Sequence, residues 1–408
     1  MTATAATKPH TMASAWRSPA ATYYLLAASA GILLIVGLAS VLSSSSIDSL
    51  RETDGNPYAL FIVQLAAFSV GSVALVFGSR LPVVAWKRLA PGVLFSSIAL
   101  LLLVLTGGIS SGGNRNWIKV GLVTFQPSEV AKLGLALYLG VVLSTFRKKL
   151  TTWKQILVPG GIASGVVLGL VLAGRDMGTA IVLSIIVVAA YWIAGVPVRF
   201  FGMAAVAFGI GVMLLLANGT NGNSRSGRIS AWLNPETCDI KGACMQTTHG
   251  LWALASGGIW GLGPGMSREK WGGLPVADSD FIFAIIGEEF GLIGTLLVLF
   301  AFVMMIVAVN RIVHRARDPF VQIAGGAIGA WLLCQACINI AVVTGLAPPT
   351  GLPLPLVSSG GSSLIASMAA VGVLMSFARA EPGAPEAFAA RPSVVRRSIT
   401  VLSRGRRG

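Results

Sequence analysis

Apolar residues run through this chain in blocks of about twenty, the length a helix needs to cross a hydrocarbon layer about 30 Å thick, and short polar turns separate them. Ten blocks are legible, at residues 20–42, 58–79, 91–107, 126–145, 155–173, 178–195, 201–217, 281–308, 320–345 and 361–379. The pattern predicts an all-α integral membrane protein of about ten transmembrane helices, with one long outer loop, 218–280, between spans 7 and 8. Residues 1–19 and 381–408 lack apolar periodicity. They read as a flexible amino-terminal segment and a basic tail flanking a membrane domain over 20–380. The first block leads into further spans, so it reads as a retained anchor and not as a cleaved signal peptide.

Composition narrows this further. With 54% hydrophobic and 11% charged residues, against roughly 25% charged in soluble domains, a soluble globular enzyme is excluded. A net charge of +15 would suit nucleic acid only if the basic residues were clustered on a folded domain, and they are scattered over the loops instead. With both termini in the cytoplasm, the larger part of Lys and Arg falls inside, including Arg80, Lys87, Arg88, Arg147, Arg311, Arg315 and the tail arginines. Fewer fall outside, and the positive-inside rule favours that orientation. The tail reads as a solvated anchor touching anionic lipid.

Cysteine and histidine offer little chemistry. Cys334 and Cys337 sit in W-L-L-C-Q-A-C-I-N-I, where helix packing is the simpler account of C-x-x-C. Cys238 and Cys244 in the outer loop could close a disulfide. His10, His249 and His314 are scattered, so neither a zinc site nor a Ser-His-Asp triad assembles, and no phosphate-loop signature appears.

The informative features are polar residues at membrane depth, which usually mark a site or pathway. In residues 111–133, Arg115, Trp117 and Lys119 precede a span opened by Pro127 and Ser128, where Glu129 and Lys132 lie at i, i+3 on one face. A structural ion pair is the reading favoured for those two over substrate contact, and Trp117 alone would be an interfacial belt residue. Arg175 and Asp176 fill a short outer turn, where capping or self-pairing is expected. The long loop carries Arg225, Arg228, Arg268 and Lys270, either solvated or a clamp for phosphate. Next come Asp278 and Asp280 at the mouth of a span, with Glu288 and Glu289 inside it; from spacing alone Asp280 is a helix N-cap before it is a catalyst. Last, residues 344–363 hold so many prolines and glycines that a continuous helix is forbidden, and a structured outer loop folding into the membrane is expected.

In order, the chain reads G-N-R-N-W-I, F-Q-P-S-E-V-A-K, D-M-G-T-A, S-R-E-K-W-G-G-L-P, D-F-I-F-A-I-I-G-E-E-F-G-L-I-G and P-P-T-G-L-P-L-P-L-V-S-S-G-G-S-S. These blocks resemble the SEDS family of FtsW, RodA and SpoVE proteins, bacterial cell-wall polymerases, over roughly residues 20–380, and the wording around Glu288 is nearer the division-type FtsW branch. The resemblance implies inverting glycosyl transfer at the outer face of the cytoplasmic membrane, in septal wall synthesis: the 4-hydroxyl of lipid II attacks the anomeric carbon of a growing glycan and expels undecaprenyl pyrophosphate. It implies Asp280 as the base. Arg115, Lys119, Arg225, Arg228, Arg268 and Lys270 become candidate pyrophosphate contacts, with Trp117 and Ser358 as further substrate-binding residues. The implied partners are a class B penicillin-binding protein transpeptidase and other division proteins, with no nucleic acid; no cofactor is certain, and a divalent metal is left open.

The chain departs from the family pattern at Asn116, which interrupts an Arg-Trp pair; at Gly174-Arg175, where Gln-Pro or Glu-Pro is usual; at Asp278, where His is usual; and at Ser359, where an aromatic is usual. Asp278 adds a negative charge two residues from Asp280. Two other readings remain open at this point, a lipid II flippase and a non-catalytic scaffold of a division complex. Charged groups gathered at the outer face favour a polymerase, while Glu129, Lys132, Glu288 and Glu289 lie deeper.

Overall fold

The computed structural model describes residues 18–52, 55–111, 114–120, 123–147, 150, 152–202, 209, 232–233, 242 and 244–389. The helices are α1 (Ala21–Glu52), α2 (Ala59–Arg80), α3 (Val83–Gly107), α4 (Pro127–Phe146), α5 (Trp153–Ile156), α6 (Ile162–Ala173), α7 (Met177–Ala194), α8 (Met245–Gly257), α9 (Ile282–Arg315), α10 (Pro319–Val343), α11 (Gly361–Arg379) and α12 (Ala384–Ala389). Among the described residues, eight helices are long and apolar enough to cross a membrane. They match predicted spans 1–4, 6 and 8–10. The predicted fifth span is α5 and α6 joined through one π-helical turn, Leu157–Gly161. The predicted seventh, 201–217, lies almost wholly outside the described residues.

Several boundaries are corrected. Helix α1 runs ten residues past the expected end, through a polar stretch in which Ser44 and Ser46 turn their hydroxyls back on the helix, Ser46 Oγ donating to the Ser43 carbonyl at 2.8 Å. Helix α3 begins eight residues early and carries Pro91 in its interior. The stretch read as an outer loop before α4 holds strands. They form a three-stranded antiparallel meander of β1 (Ile109–Ser111), β2 (Asn114–Val120) and β3 (Val123–Phe125), with Ser110 opposite Arg115 and Lys119 opposite Thr124. The backbone N–H of Arg115 donates to Gly174 O at 3.0 Å and ties the sheet to the α6–α7 turn. The carboxyl-terminal boundary also moves. Glu381 is buried, and α12 returns Phe388 against Tyr23, ring centroids 5.3 Å apart.

The bundle is apolar both at its centre and at its periphery. Helices α4, α10 and α11 form the centre, with Leu135, Leu139, Ile328, Trp331, Val371 and Phe377 fully enclosed. Helices α2 and α3 expose Ile62, Phe77, Phe95 and Leu103 at the periphery, where lipid is the matching solvent. Helix α11 reaches α2 closely through Gly372, whose added Cβ would lie 2.7 Å from the Leu75 carbonyl oxygen. At one end of the bundle, Lys87 pairs with Asp318 at 2.6 Å and Arg147 donates to Gln322 at 2.9 Å. The sheet, the α6–α7 turn, residues 258–281 and residues 344–360 gather at the opposite end.

Helix α9 breaks at Gly291, with φ 64° and ψ −160°, a conformation open only to glycine. Two helical hydrogen bonds are lost there and the preceding loop replaces them. Leu262 N–H donates to Glu288 O at 2.9 Å and Gly263 N–H to Glu289 O at 3.0 Å, while Leu292 N–H donates to Gly258 O at 2.9 Å. A Cβ on Gly291 would also collide with the backbone of Ile259 and Gly261. Gly291→Ala is therefore expected to cost at least about 1–3 kcal/mol, read as a lower melting temperature in detergent. Gly165→Ala is the control, because nothing stands within 4 Å of its Cβ and Ala favours a helix. Equal melting temperatures would contradict this account of the break.

Candidate functional site

Asp280 sits on the turn that opens α9, and the way this turn is mounted sets it apart. Its three successive carbonyls are each taken by a donor from elsewhere: Asp278 O by Ser359 N–H at 2.9 Å, Ser279 O by Ser358 Oγ at 2.6 Å, and Asp280 O by Asn339 Nδ2 at 2.8 Å. The N-cap position of α9 belongs to Phe281, and no side chain caps the helix. The N-cap reading of Asp280 is thus overturned. Asp280 lines a cavity of about 400 Å³.

Two of the donors, Ser358 and Ser359, come from the Pro-rich loop, and the third, Asn339, from α10. Proline lacks an N–H, so a loop of this composition has more carbonyls than donors and buried amides must supply the difference. Gln335 Nε2 donates to Pro353 O and Asn339 Nδ2 to Leu352 O, both at 2.8 Å. Gln64 of α2 clasps the far end, donating to Ser358 O at 3.3 Å and accepting from Gly360 N–H at 3.2 Å. Ser358 is buried, and its hydroxyl also accepts from Leu354 N–H at 2.7 Å. The hydroxyl thus donates to one backbone group and accepts from another, and holds the loop to the turn.

Besides Asp280, the cavity is lined by Glu129, Asp176, Trp117, Asn114, Asn116, Gln126, Thr179, Gln246 and Asn339, with Thr350–Pro353 and Ser359 closing it. Asp176 caps α7 through Thr179 N–H at 3.0 Å, as expected, and does more. Its other oxygen accepts from Asn116 Nδ2 at 2.9 Å, Gln126 Nε2 at 3.1 Å and Thr179 Oγ1 at 2.9 Å. Asn116, the residue that departs from the family pattern, therefore fastens the sheet to α7. Trp117 is half-buried and faces this cavity's wall, so it is more than a belt residue.

No Lys or Arg is among the described residues lining the cavity. Arg115 and Lys119 are exposed on β2, the former donating to Leu105 O at 3.0 Å, and Arg268 is exposed on the loop before α9. Lys270 is different, enclosed and paired. It is 7% exposed and fully occupied, with Nζ 3.2 Å from Glu289 Oε1, 2.8 Å from Ser43 Oγ and 2.7 Å from Gly265 O. Arg225 and Arg228 lie outside the described residues.

The deep charges are paired. Lys132 Nζ lies 2.9 Å from Glu129 Oε2, 3.0 Å from Gln335 Oε1 and over the Trp331 ring at 4.8 Å. The pair stands where i, i+3 spacing puts it. Glu288 accepts from Ser267 Oγ at 2.5 Å and Arg268 N–H at 2.9 Å, so a buried carboxylate pins the outer loop that spans the α9 break. Among the described residues, no group of three or more His, Cys, Asp and Glu fits a metal ion. Cys244 is disulfide-bonded, while Cys334 and Cys337 are free thiols; Cys238 lies outside the described residues. Sequence reasoning passed over Gln335, Asn339, Gln64 and Gln126. The available signal was two carboxamides one helical turn apart inside an apolar span.

A family model for the FtsW, RodA and SpoVE cell cycle proteins matches residues 23–382. A Mycobacterium tuberculosis protein named probable peptidoglycan glycosyltransferase FtsW is 37% identical over 388 residues, covering 94% of this chain and 73% of its own. Stage V sporulation protein E of Bacillus subtilis is 33% identical, over 85% of this chain and 94% of its own. Among solved structures, one described as structural coordination of polymerization and crosslinking by a peptidoglycan synthase complex superposes with a TM-score of 0.69 at 25% identity, over 88% of this chain and 96% of that one. The rod shape determining protein RodA of Thermus thermophilus gives 0.61 at 23% identity, over 88% and 96%.

Proposed function

Because the chain belongs to the FtsW, RodA and SpoVE family of cell cycle proteins, we propose that it is a peptidoglycan glycosyltransferase that polymerises lipid II, with Asp280 as its general base. The observation that carries the assignment is the mount of Asp280: a carboxylate not spent on capping, beside a cavity, on a turn whose three carbonyls are all held. In the reaction, Asp280 takes the proton of the attacking 4-hydroxyl as the new bond to the anomeric carbon forms. The bond to the pyrophosphate oxygen breaks, undecaprenyl pyrophosphate departs and the centre inverts. The developing pyrophosphate charge needs cations, and Arg115, Lys119 and Arg268 are exposed at this end of the bundle to supply them. Arg225 and Arg228 remain candidates from sequence.

The reading extends to place and partners. The end of the bundle holding Lys87, Arg147, Arg311 and Arg379 is the cytoplasmic one by the positive-inside rule, which puts Asp280 at the outer face and both termini inside. Reporters inserted after Gly55 and Leu346 should register outside, and one after Arg147 inside; an inside signal at Leu346 would invert the map. The septum is the expected site, a class B penicillin-binding protein transpeptidase the expected partner that crosslinks the product, and other division proteins the expected neighbours. The function is tested with the purified chain and its transpeptidase in detergent, where moving lipid across a membrane has no meaning. Glycan strands from lipid II are expected. No strands in detergent, with lipid II moved across vesicles, would replace polymerisation with transport.

A further inference from the structure

Gln335 and Asn339 lie one helical turn apart on α10, 0% and 1% exposed, deep in a span otherwise built of apolar and small residues. A buried carboxamide is costly unless its oxygen and nitrogen find partners, and both residues are oriented by chemistry that allows no exchange of the two atoms. Gln335 Oε1 accepts from Lys132 Nζ at 3.0 Å and from Trp331 Nε1 at 2.9 Å. An amide nitrogen in that place would face an ammonium and an indole N–H, both donors only. Its Nε2 is therefore directed at Pro353 O. Asn339 Nδ2 gives one hydrogen to Leu352 O and the other to Asp280 O; an oxygen there would face two carbonyls. One helix face thus joins the buried Glu129–Lys132 pair to the Pro-rich loop and to the backbone of Asp280 itself.

We propose that Gln335 and Asn339 are positioning residues for Asp280, and that the buried Glu129–Lys132 pair serves them by locking the Gln335 amide. The proposal rests on the assignment of Asp280 as the base. The path is continuous: Glu129 to Lys132, Lys132 to Gln335, Gln335 to Pro353, and Leu352 and Asp280 together to Asn339. The same loop then supplies Ser358 and Ser359 to the two carbonyls before Asp280. A turn held by three successive carbonyls keeps its carboxylate in one place, and a misplacement of about 1 Å in a reacting group can cost about 100-fold in rate. Substrate binding does not depend on that last ångström, so the signature is a fall in kcat with KM kept.

The test uses the full chain with its transpeptidase in detergent, with fluorescent lipid II as the binding probe and glycan formation as the rate. Gln335→Glu keeps the acceptor for Lys132 and Trp331, sets a carboxylate oxygen in place of the donor to Pro353 and adds a negative charge beside the Glu129–Lys132 pair. Asn339→Leu keeps the volume and removes both donors. Each is expected to lower kcat about 10- to 100-fold, with KM and the lipid II dissociation constant within about two-fold of the unmutated protein. An unchanged kcat in both variants overturns the proposal. A loss of lipid II binding that matches the loss of rate also overturns it, since the amides would then hold the cavity and not the aspartate. Should Asn339→Leu fail to reach the membrane, Gln335→Glu decides alone. Inactive Asp280→Asn beside fully active amide variants strikes this inference only, whereas fully active Asp280→Asn strikes the assignment of the base.

Discussion

Asp280→Asn should remove nearly all glycan synthesis while leaving the protein in the membrane at its normal level. Losing a positioned general base costs about 10²- to 10⁴-fold in rate, whereas losing a helix cap costs about 1 kcal/mol of stability. The two outcomes separate cleanly because Phe281, not Asp280, occupies the N-cap of α9. The turn itself should survive the change, since it is held by backbone carbonyls that an Asn keeps: Ser358, Ser359 and Asn339 grip the carbonyls of Ser279, Asp278 and Asp280. The measurement is the initial rate of strand formation from lipid II, read beside membrane abundance. A near-normal rate would return Asp280 to a structural role, and a collapse in abundance would show that the carboxylate is needed to fold the turn.

Lys132→Met should be more damaging than the double change of Glu129→Gln with Lys132→Met. Both partners are almost fully enclosed, with side chains 1% and 3% exposed. Removing one partner of a buried ion pair strands the other charge and costs about 3–5 kcal/mol, while removing both often costs much less. The single change also takes from Gln335 one of the two donors that orient its amide. A lower melting temperature and lower abundance for the single variant, partly restored in the double, is the expected pattern. Losses that simply add would mean that the two charges do not depend on each other.

What could be seen in the sequence follows from the range over which each interaction acts. A span is a local property, about twenty apolar residues in a row, so α1, α2, α4, α7, α9, α10 and α11 are legible, and so is the Glu129–Lys132 pair three residues apart. The β meander is not, because two of its strands are three residues long and its edge is fixed by the Gly174 carbonyl about sixty residues away in the chain. Lys270 looks like a free cation for the same reason: its partner Ser43 lies 227 residues distant. The hold of Ser358 on the turn is hidden likewise, because the Ser279 carbonyl that accepts from its hydroxyl lies 79 residues away. Gln335 and Asn339 are hidden by the cysteines between and beside them, which draw attention to C-x-x-C in the same stretch. Asp280 is visible only through resemblance, since spacing alone makes it a cap. Its three-carbonyl mount needs α9, α10 and the Pro-rich loop together.

Asp278 and Asp280 stand two residues apart, yet only Asp280 is among the residues lining the cavity. The measurement that bears most directly on the central claim compares the two carboxylates in one preparation, with the full chain, its transpeptidase partner and lipid II in detergent. Asp280→Asn is expected to polymerise about 10²- to 10⁴-fold more slowly than the unmutated protein, and Asp278→Asn to stay within a few-fold of it. A near-normal rate in Asp280→Asn, or an inactive Asp278→Asn beside an active Asp280→Asn, would contradict the assignment.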